Sequence, residues 1–478
     1  TIMGTLDRRM FLAALGACAA GAATGFAAET PPRKPNIVFI LADDLGRRQV
    51  GCYGNTFFET PHLDALAAQG MRFTAAYAAC PVCSPTRASI MTGKYPARLH
   101  ITDYIPGKAH PYAKLKTPDW SKQLPLEETT LAEMLDGAGY VCGHFGKWHL
   151  SKKNDSQYVP GIPDMPERQG FSDVLVTSKP ESEETAQAGA SPDYDAHHAK
   201  EIVDRSIAFM EANREHPFFC YISHNLVHRP EMEFAPKIVK YATKPECCNK
   251  TGNNPVLGAM VETLDEHVGR VLQALDDLRL AENTLVVFFS DNGELYGREA
   301  LDPFYGAKAD LYEGGIREPM IVRWPGVVKP GTVCPDPVAS IDFFPTFAAV
   351  AGAACDDPTV DGVNILPALT GTAPPAREVL YWHYPHYHQL GIAPSGAIRE
   401  GKYKLIEWFE QSVDGHETEG ALMLFDLEAD PGERHNLTPE LPELAKRLYE
   451  KLKAWRKTVN AQEMVRNDRY DPARVDTE

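Results

Sequence analysis

Two short acidic segments contain residues whose types and positions indicate a chemical role. Asp43-Asp44 and Asp291-Asn292 each follow directly on an apolar run. Carboxylate and amide oxygens are the ligands that hard cations such as Ca²⁺ prefer. One pair of adjacent aspartates is more often a helix cap or a solvated turn. Two such segments, each at the end of an apolar run, predict a metal site.

Lysine and histidine side chains form a second candidate group. Its members are Lys147, His149, His224, His228 and Lys308. A lone lysine or histidine is more often a surface residue or a satisfied core residue. Lys308 lies shortly before Gly314-Gly315, where paired glycines permit close backbone approach. Around a divalent cation, these groups suit an oxyanion whose hydrolysis builds charge on its oxygens.

Cys83 is the candidate nucleophile, in Cys83-Ser84-Pro85-Thr86-Arg87. A catalytic thiol needs a nearby base to lower its pKa, and the next four residues supply none. Cys80 and Cys83 have the spacing of a redox pair, but the surroundings do not match a small βαβ redox domain. A buried structural cysteine therefore remains an open interpretation at this level.

The elements that position these residues follow from apolar runs between helical segments. Strands are predicted over Asn36–Ala42, Tyr140–Phe145, Phe218–Ser223 and Thr284–Ser290. Their alternation with helices predicts an α/β fold with a large, mainly parallel sheet sandwiched by helices. In such sheets polar chemistry collects at the carboxyl ends of the strands. All four predicted strands end on charged, amide or imidazole groups.

The sequence pattern changes from about Pro374 onward. Short segments separated by polar turns predict a small antiparallel sheet, followed by a helix around Glu443–Val459. The polar tail after about Asn460 is predicted to be loosely held. We therefore expect a catalytic domain over residues 33–373 and a smaller α+β subdomain over residues 374–478.

The net charge of the chain and its N-terminal segment limit the possible partners and the cellular location. A net charge of −17 excludes nucleic acid as a partner and means that anions must be bound by a local cluster of cations or a metal. Residues 1–28 are predicted to be an export signal, because the twin-arginine pattern at Arg8-Arg9 precedes an Ala/Gly/Leu-rich run. Cleavage near Ala27 or Ala28 and lipid attachment at Cys18 both remain open. No later stretch is apolar enough to span a bilayer.

At this point the residues match a family. The segment from Cys83 to Gly93 resembles the sulfatase signature C-x-P-x-R with its following helix and T-G. The whole array is more specific than this segment, and it occurs in the family's order over about residues 35–460. It includes Ala42-Asp43-Asp44-Leu45-Gly46, Gly146-Lys147-Trp148-His149, Val227-His228-Arg229-Pro230, Ser290-Asp291-Asn292-Gly293 and Glu313-Gly314-Gly315-Ile316-Arg317.

The resemblance implies a fold related to alkaline phosphatase and a nucleophile made after translation. A formylglycine-generating maturation enzyme would oxidise Cys83 to formylglycine, whose hydrated aldehyde attacks sulfur. The implied calcium ligands are Asp43, Asp44, Asp291, Asn292 and the modified Cys83. The implied catalytic groups are Arg87 at the hydrated aldehyde, Lys147 and Lys308 at the sulfate oxygens, His228 as acid to the leaving oxygen and His149 as the base that expels sulfate.

One segment departs from a common family pattern. Arg47-Arg48-Gln49 follow Gly46, where many relatives carry an aromatic residue and a later acid. The departure leaves the implied ligands untouched. It leaves open what supports their loop.

Substrate and competing functions are less defined. Export and the resemblance favour an exported, periplasmic or extracellular enzyme that acts on sulfated carbohydrate, with a galactose or N-acetylgalactosamine 4-sulfate as a candidate. Candidate sugar contacts are Tyr104, His383, His386 and Arg399. Packing of such side chains at the junction between domains is the equal alternative. A phosphonate monoester or phosphodiester hydrolase and a non-catalytic glycan-binding protein are the competing functions.

Overall fold

Alternate residues of the first strand, β1 (Asn36–Ala42), pack into two different hydrophobic cores. The computed structural model describes residues 33–153, 155–180, 194–248, 253–295, 303–413 and 420–474. Every residue of β1 is buried. Its odd-numbered residues from Ile37 to Leu41 join one core, and its even-numbered residues from Val38 to Ala42 join the other. A continuous apolar run is what a strand covered on both faces requires.

The other strands of the described residues belong to three sheets. They are β2 (Met71–Tyr77), β3 (Leu115–Lys116), β4 (Val141–Gly146), β5 (Asp173–Val176), β6 (Phe218–Ser223), β7 (Thr284–Ser290), β8 (Arg317–Arg323), β9 (Thr332–Cys334), β10 (Val338–Ala339), β11 (Val379–Tyr384), β12 (Ser395–Glu400), β13 (Tyr403–Trp408), β14 (Leu422–Asp426) and β15 (Val465–Arg466). All four predicted strands are present, and the one expected from Tyr140 begins one residue later.

The large sheet has the order β10-β2-β8-β7-β1-β6-β4-β5, with β9 also paired to β2. Its segment β7-β1-β6-β4-β5 is parallel throughout. Strand β8 runs antiparallel to both β7 and β2, so the sheet is mixed. The predicted α/β fold is confirmed, and all four predicted strands are neighbours within the parallel segment.

Helices cover both faces of this sheet and begin near its strand ends. They are α1 (Pro61–Gln69), α2 (Cys83–Thr92), α3 (Pro96–Leu99), α4 (Leu131–Gly137), α5 (Ala199–Ala212), α6 (Ala235–Ala242), α7 (Pro255–Asp277), α8 (Glu313–Ile316), α9 (Phe343–Ala351), α10 (Leu366–Leu369), α11 (Phe409–Ser412) and α12 (Pro442–Thr458). Helix α2 is unusual because all ten of its residues are buried.

The small sheet is antiparallel, in the order β11-β12-β13-β14. A third hydrophobic core joins this sheet and α12 to the large sheet, so both sheets lie in one compact unit, Lys34–Glu478. The expectation of a loosely held tail is wrong for Val465–Arg466. These residues pair antiparallel with Leu115–Lys116, and the Asn467 amide N–H donates to Lys114 O at 3.1 Å.

No helix in the described part of the chain has the length and hydropathy that crossing a bilayer requires. The predicted export signal and Cys18 lie outside the described residues.

Candidate active site

The parallel register brings the two acidic segments together. Ala42 and Ser290, the last residues of β1 and β7, are partners across the sheet. The following carboxylates, Asp43 and Asp291, therefore emerge side by side, and the Asp291 amide N–H donates to Ala42 O at 3.2 Å. Asp44 has a φ of 60°, a left-handed conformation that turns the chain directly after the strand. Its amide N–H donates to Asp291 Oδ1 at 3.2 Å.

Cys83 is the first residue of α2 and is 1% exposed. Its Sγ lies 3.4 Å from Asp43 Oδ1 and 3.4 Å from Lys308 Nζ. Burial and the charge of Asp291 raise the pKa of the thiol to about 12, although two lysines oppose the shift. The thiol is therefore protonated at neutral pH. It is a poor nucleophile as it stands.

Arg87 lies one turn further along α2 and ties three strand ends together. Its Nη2 is 2.7 Å from Asp291 Oδ2, and its Nη1 donates to Ser223 Oγ at 2.6 Å. Nη1 also donates to the carbonyl oxygen of Lys147 at 3.1 Å. Burial alone would lower the pKa of Arg87, but Asp291 and Asp43 raise it, so the guanidinium stays charged. This contact positions the Cys83 helix against the carboxylates.

The acidic side chains could hold a cation. Asp43, Asp44 and Asp291 each offer one oxygen that lies, with the Cys83 sulfur, within 4.8 Å of the others. Asn292 Nδ2 donates to Asp44 Oδ1 at 2.8 Å, which places its amide at the same point. Asn292 Oδ1 and Asp44 Oδ2 are buried without a hydrogen-bond partner. These spare oxygen acceptors fit a hard cation such as Ca²⁺.

Two lysines complete the charge balance around the carboxylates. Lys147 Nζ lies 2.6 Å from Asp43 Oδ2, and Lys308 Nζ lies 2.6 Å from Asp44 Oδ1. Burial would raise the pKa of Asp43, but Lys147 and the other cations hold it well below its usual value. The pKa of Asp44 is also lowered, chiefly by Lys308 against the effect of burial, so Asp43 and Asp44 are both ionised. A cation that shared their oxygens would leave the lysine charges available to an anion.

His149 has one ring nitrogen engaged and one unpartnered. Its Nε2 lies 2.6 Å from Ile105 O, so Nε2 must donate and Nδ1 carries the lone pair. Nδ1 is buried without a partner. Burial and the charge of Lys147 lower the pKa of His149 well below its usual value. The neutral ring is therefore able to accept a proton at Nδ1.

His228 presents its other nitrogen to the site. Nδ1 lies 2.7 Å from Arg229 O and must donate to that carbonyl. Nε2 lies 3.6 Å from Asp44 Oδ2, which makes it the atom available to exchange a proton. Burial lowers the pKa of His228 to about 3, more than Asp44 raises it.

The loop that departs from the family pattern is supported by an ion pair. Arg48 Nε lies 3.0 Å from Glu294 Oε1, two residues beyond Asn292. The Glu294 carbonyl accepts from the Lys308 amide N–H at 2.9 Å. The Gln49 side chain accepts from the Gly46 amide N–H at 2.9 Å. These contacts link the loop after β1 to the Asn292 and Lys308 segments.

A cavity of about 240 Å³ opens above these groups. The predicted residues that line it are Cys83, Tyr104, Lys147, His149, His228 and Lys308. It is also lined by Ser178, Lys179, Asn225, Arg229 and Leu390, to which the sequence analysis assigned no role. Arg229 belongs to the same family-like segment as His228 and Asn225 lies three residues before His228, which was a usable signal, whereas no motif pointed to Ser178 and Lys179.

Three of the candidate sugar contacts do not line the cavity. His383 Nε2 contacts Gln462 O, and its ring packs on Phe409. His386 contacts Thr102 Oγ1 at 2.8 Å. Arg399 contacts the Tyr77 hydroxyl.

His224 is buried beneath the site, with both ring nitrogens unpartnered. From the aromatic segment around His383 and His386, it is His388 that reaches the cavity.

Comparison with known proteins agrees with this geometry. The sulfatase family model matches residues 35–353, which include the three aspartates and Asn292, Cys83, Arg87, the two lysines, His149 and His228. The chain belongs to the sulfatase family. A second model, of the N-sulphoglucosamine sulphohydrolase C-terminal region, matches residues 304–458. This sulfatase is 33% identical to arylsulfatase A of Homo sapiens over 469 residues, which cover 87% of each chain.

Bacterial proteins are also among its relatives. N-acetylgalactosamine-6-O-sulfatase of Bacteroides thetaiotaomicron is 27% identical and covers 88% of this chain and 93% of the relative. The solved structure of Ps i-CgsB in complex with k-i-k-neocarrahexaose has 27% identity and a TM-score of 0.72. The alignment covers 89% of this chain and 93% of that one. The protein is a sulfuric ester hydrolase with an alkaline phosphatase-like fold.

Proposed function

We propose that this sulfatase hydrolyses a sulfate ester of a carbohydrate, with a formylglycine made from Cys83 and a calcium ion. The observation that carries the proposal is the setting of Cys83. Burial and the charge of Asp291 raise the pKa of its thiol to about 12, although its Sγ lies 3.4 Å from both Asp43 and Lys308. A group at this point has to become a nucleophile by another route, and oxidation to an aldehyde provides one.

Formylglycine at position 83 would supply a hydrated aldehyde with two hydroxyl groups, one to attack sulfur and one to break the resulting ester by elimination. Its formation requires a maturation enzyme as a partner. Arg87, which already contacts Asp291 and the Lys147 carbonyl, would steady this residue from the next turn of α2.

The calcium ligands would be the carboxylates of Asp43, Asp44 and Asp291, with the amide oxygen of Asn292 and the modified Cys83. The unpartnered Asn292 Oδ1 and Asp44 Oδ2 support this assignment. When bound, the ion would lower the energy of negative charge that builds on the sulfate oxygens.

The remaining groups divide the binding and proton transfers between them. Lys147 and Lys308 would bind sulfate oxygens, since both ammonium groups line the cavity beside Cys83. His228 would deliver a proton from Nε2 to the leaving oxygen, and the negative sulfate group beside it would favour its protonated form. His149 would take a proton at its unpartnered Nδ1 as sulfate is released.

A carbohydrate is the proposed alcohol. The sugar-acting bacterial relative and the oligosaccharide bound to Ps i-CgsB support this class. The twin-arginine segment supports export to a compartment where polysaccharide is accessible. Tyr104, which lines the cavity, is the candidate sugar contact retained from the sequence.

The mass of the peptide that contains Cys83 tests the nucleophile. In protein matured in its native host, we expect the mass to fall by the difference between sulfur plus two hydrogens and oxygen, or to show the hydrate of that aldehyde. Fully active protein with a free thiol would contradict the proposal.

Paired rates test the reaction. We expect faster hydrolysis of 4-nitrophenyl sulfate than of bis(4-nitrophenyl) phosphate, and loss of both activities on chelation with recovery on adding Ca²⁺. Faster phosphodiester cleavage would instead identify a phosphodiester hydrolase. Tight binding of sulfated glycan without turnover, in protein shown to contain the aldehyde, would identify a glycan-binding protein.

A further inference from the structure

The cavity above the catalytic groups has two kinds of lining. One part is formed by Tyr104, His388 and Leu390, which are aromatic or apolar. The other is formed by Ser178, Lys179 and Arg229, which are polar or cationic. Asn225 Nδ2 donates to Thr177 Oγ1 at 2.8 Å, which joins the Ser178 segment to the His228 loop. The alcohol part of a substrate therefore meets both chemistries at once.

The aromatic part is a built surface with a directed donor. The Tyr104 and His388 rings lie 5.5 Å apart at an interplanar angle of 67°. The Leu390 amide N–H donates to His388 Nδ1 at 3.2 Å, so Nδ1 is the acceptor and Nε2 carries the hydrogen. Burial lowers the pKa of His388 to about 4, which keeps the ring neutral at neutral pH. A sugar offers such a surface an apolar ring face and oxygen acceptors.

Lys179 differs from the two lysines at the bottom of the cavity. Lys147 and Lys308 each lie 2.6 Å from a carboxylate oxygen. Lys179 forms no hydrogen bond or ion pair in the described part of the chain, although it lines the same cavity. Burial and the positive charge of Lys147 lower the pKa of Lys179. Lys179 therefore lies close enough to the catalytic lysines to be affected by their charge. Within the described residues, this charge has no anionic partner in direct contact.

We propose that the substrate is a sulfated sugar that carries a second anionic group, and that Lys179 binds this group. The second group is a sulfate or a carboxylate, since both offer oxygens to an ammonium. The sugar ring lies against Tyr104 and His388, and His388 Nε2–H donates to one of its oxygens. This inference rests on the proposed function and names the substrate class of the same site.

Matched substrates test the role of Lys179. The probes are a hexosamine 6-sulfate, its N,6-disulfate, and a disaccharide that joins the monosulfated ring to a uronic acid, with the corresponding galactose 4-sulfate series. The wild type is expected to prefer at least one doubly charged member by about 10-fold in kcat/KM. In Lys179→Ala this preference falls to about unity through a higher KM, and Lys179→Arg restores part of it. Preference for the disulfate or for the uronate identifies the second anion.

Two further variants separate charge recognition from general binding. His388→Ala is expected to raise KM for the singly and doubly charged members alike, because His388 contacts the shared ring. Lys446→Ala, an exposed lysine on α12 outside the cavity, leaves the preference unchanged. Calorimetry with the Cys83→Ser protein reads the same preference as a ratio of dissociation constants, without turnover.

The inference is overturned if the wild type prefers the monosulfates, or if Lys179→Ala lowers kcat/KM equally on all members. These outcomes require only that a sulfate ester is hydrolysed, so they leave the proposed function intact. Absence of sulfate release from every probe and from 4-nitrophenyl sulfate, in protein that contains the aldehyde, would reject the proposed function itself.

Discussion

Two clusters of buried charge in this sulfatase both pair carboxylates with lysine and arginine but leave different numbers of oxygen acceptors without a partner. The catalytic floor consists of Asp43, Asp44, Asp291, Arg87, Lys147 and Lys308. The subdomain bridge, which joins α8 to the small sheet, consists of Glu313, Lys404, Glu433, Tyr77 and Arg317.

In the bridge, every carboxylate oxygen lies within 3.0 Å of a cation, a hydroxyl or an amide N–H, although Glu433 Oε1 is held by the charge of Lys404 alone and accepts no hydrogen bond from the described residues. Lys404 Nζ lies 2.9 Å from Glu313 and 3.0 Å from Glu433. Tyr77 and Arg317 reach the second Glu313 oxygen at 2.7 and 3.0 Å. The Glu313 amide N–H supplies the second Glu433 oxygen at 2.6 Å.

In the catalytic floor, some oxygen acceptors have no hydrogen-bond donor from the described residues. Asp44 Oδ2 and the neighbouring Asn292 Oδ1 are buried without hydrogen-bond partners. A buried polar atom without a partner costs about 1–3 kcal/mol, so such atoms persist where a ligand completes them. The comparison teaches that a cluster whose carboxylate oxygens all lie beside cations or donors stabilises the fold, whereas spare oxygen acceptors beside a cavity mark the candidate active site. Substitutions in the floor should therefore remove activity, and those in the bridge should remove stability.

The largest effect is expected at Cys83. Cys83→Ser is expected to reduce sulfate release by about 10⁴-fold or more, because a single hydroxyl cannot break the sulfated intermediate by elimination. Its free energy of unfolding should change by less than about 1 kcal/mol, and calorimetry should still detect calcium binding. Cys80→Ser, at a buried cysteine three residues earlier, is the control and should retain turnover. Normal sulfate release by the Cys83 variant would count against the elimination step.

The bridge should respond in stability. Lys404→Met leaves Glu313 and Glu433 facing each other without their shared cation, in a fully buried site. We expect the free energy of unfolding in urea to fall by about 3–5 kcal/mol. Folded Lys404→Met protein should bind calcium with wild-type affinity. A tenfold loss of calcium affinity without a loss of stability would reverse the distinction between the clusters.

Lys308→Met is the matched change in the floor. Lys308 Nζ lies 3.4 Å from Cys83 Sγ, and its loss should lower kcat/KM by about 10²–10³-fold because one cation at the sulfate oxygens is missing. Stability should fall less than in Lys404→Met, since the proposed calcium ion would compensate Asp44. Urea unfolding with saturating calcium compares the two variants directly. A larger loss of stability in Lys308→Met than in Lys404→Met would contradict this comparison.

The sequence predicted the floor better than the cavity walls, for a physical reason. Asp43 and Asp291 follow long apolar runs, and in a parallel sheet the ends of neighbouring strands meet. Lys179 and His388 lie in irregular segments, where spacing along the chain does not determine direction. Strands β2 and β8 were not predicted. Antiparallel pairing of β8 with both β7 and β2 is a property of the whole sheet.

The sugar contacts show the same limit. Tyr104 lines the cavity, whereas His383, His386 and Arg399 make contacts within the protein. Arg399 lies on β12, where alternate residues face opposite sides of the small sheet, and its side chain reaches Tyr77. Composition alone could not separate His388 from its neighbours. What distinguishes it is its contact with Tyr104.

The smallest expected effect concerns pH and the bridge. Burial and the charge of Glu313 raise the pKa of Glu433 to about 7, more than Lys404 lowers it. Between the usual value of 4.5 and about 7, the folded state keeps a proton that the unfolded state has released. Stability therefore falls as pH rises through this window and levels off above it. In Glu433→Gln this decline, roughly 1–3 kcal/mol, should be absent from urea unfolding measured between pH 5 and 8.

The quantity to compare is the slope of the free energy of unfolding against pH and not its absolute value. An amide beside Lys404 changes the contacts of this side chain as well as its charge. Glu428→Gln, at an exposed position just after β14, is the control and should keep the wild-type slope. If Glu433→Gln kept that slope too, Glu433 would be ionised beside Lys404 over this range of pH. Burial would then not raise its pKa, and the bridge would hold two ionised glutamates on Lys404 and Arg317.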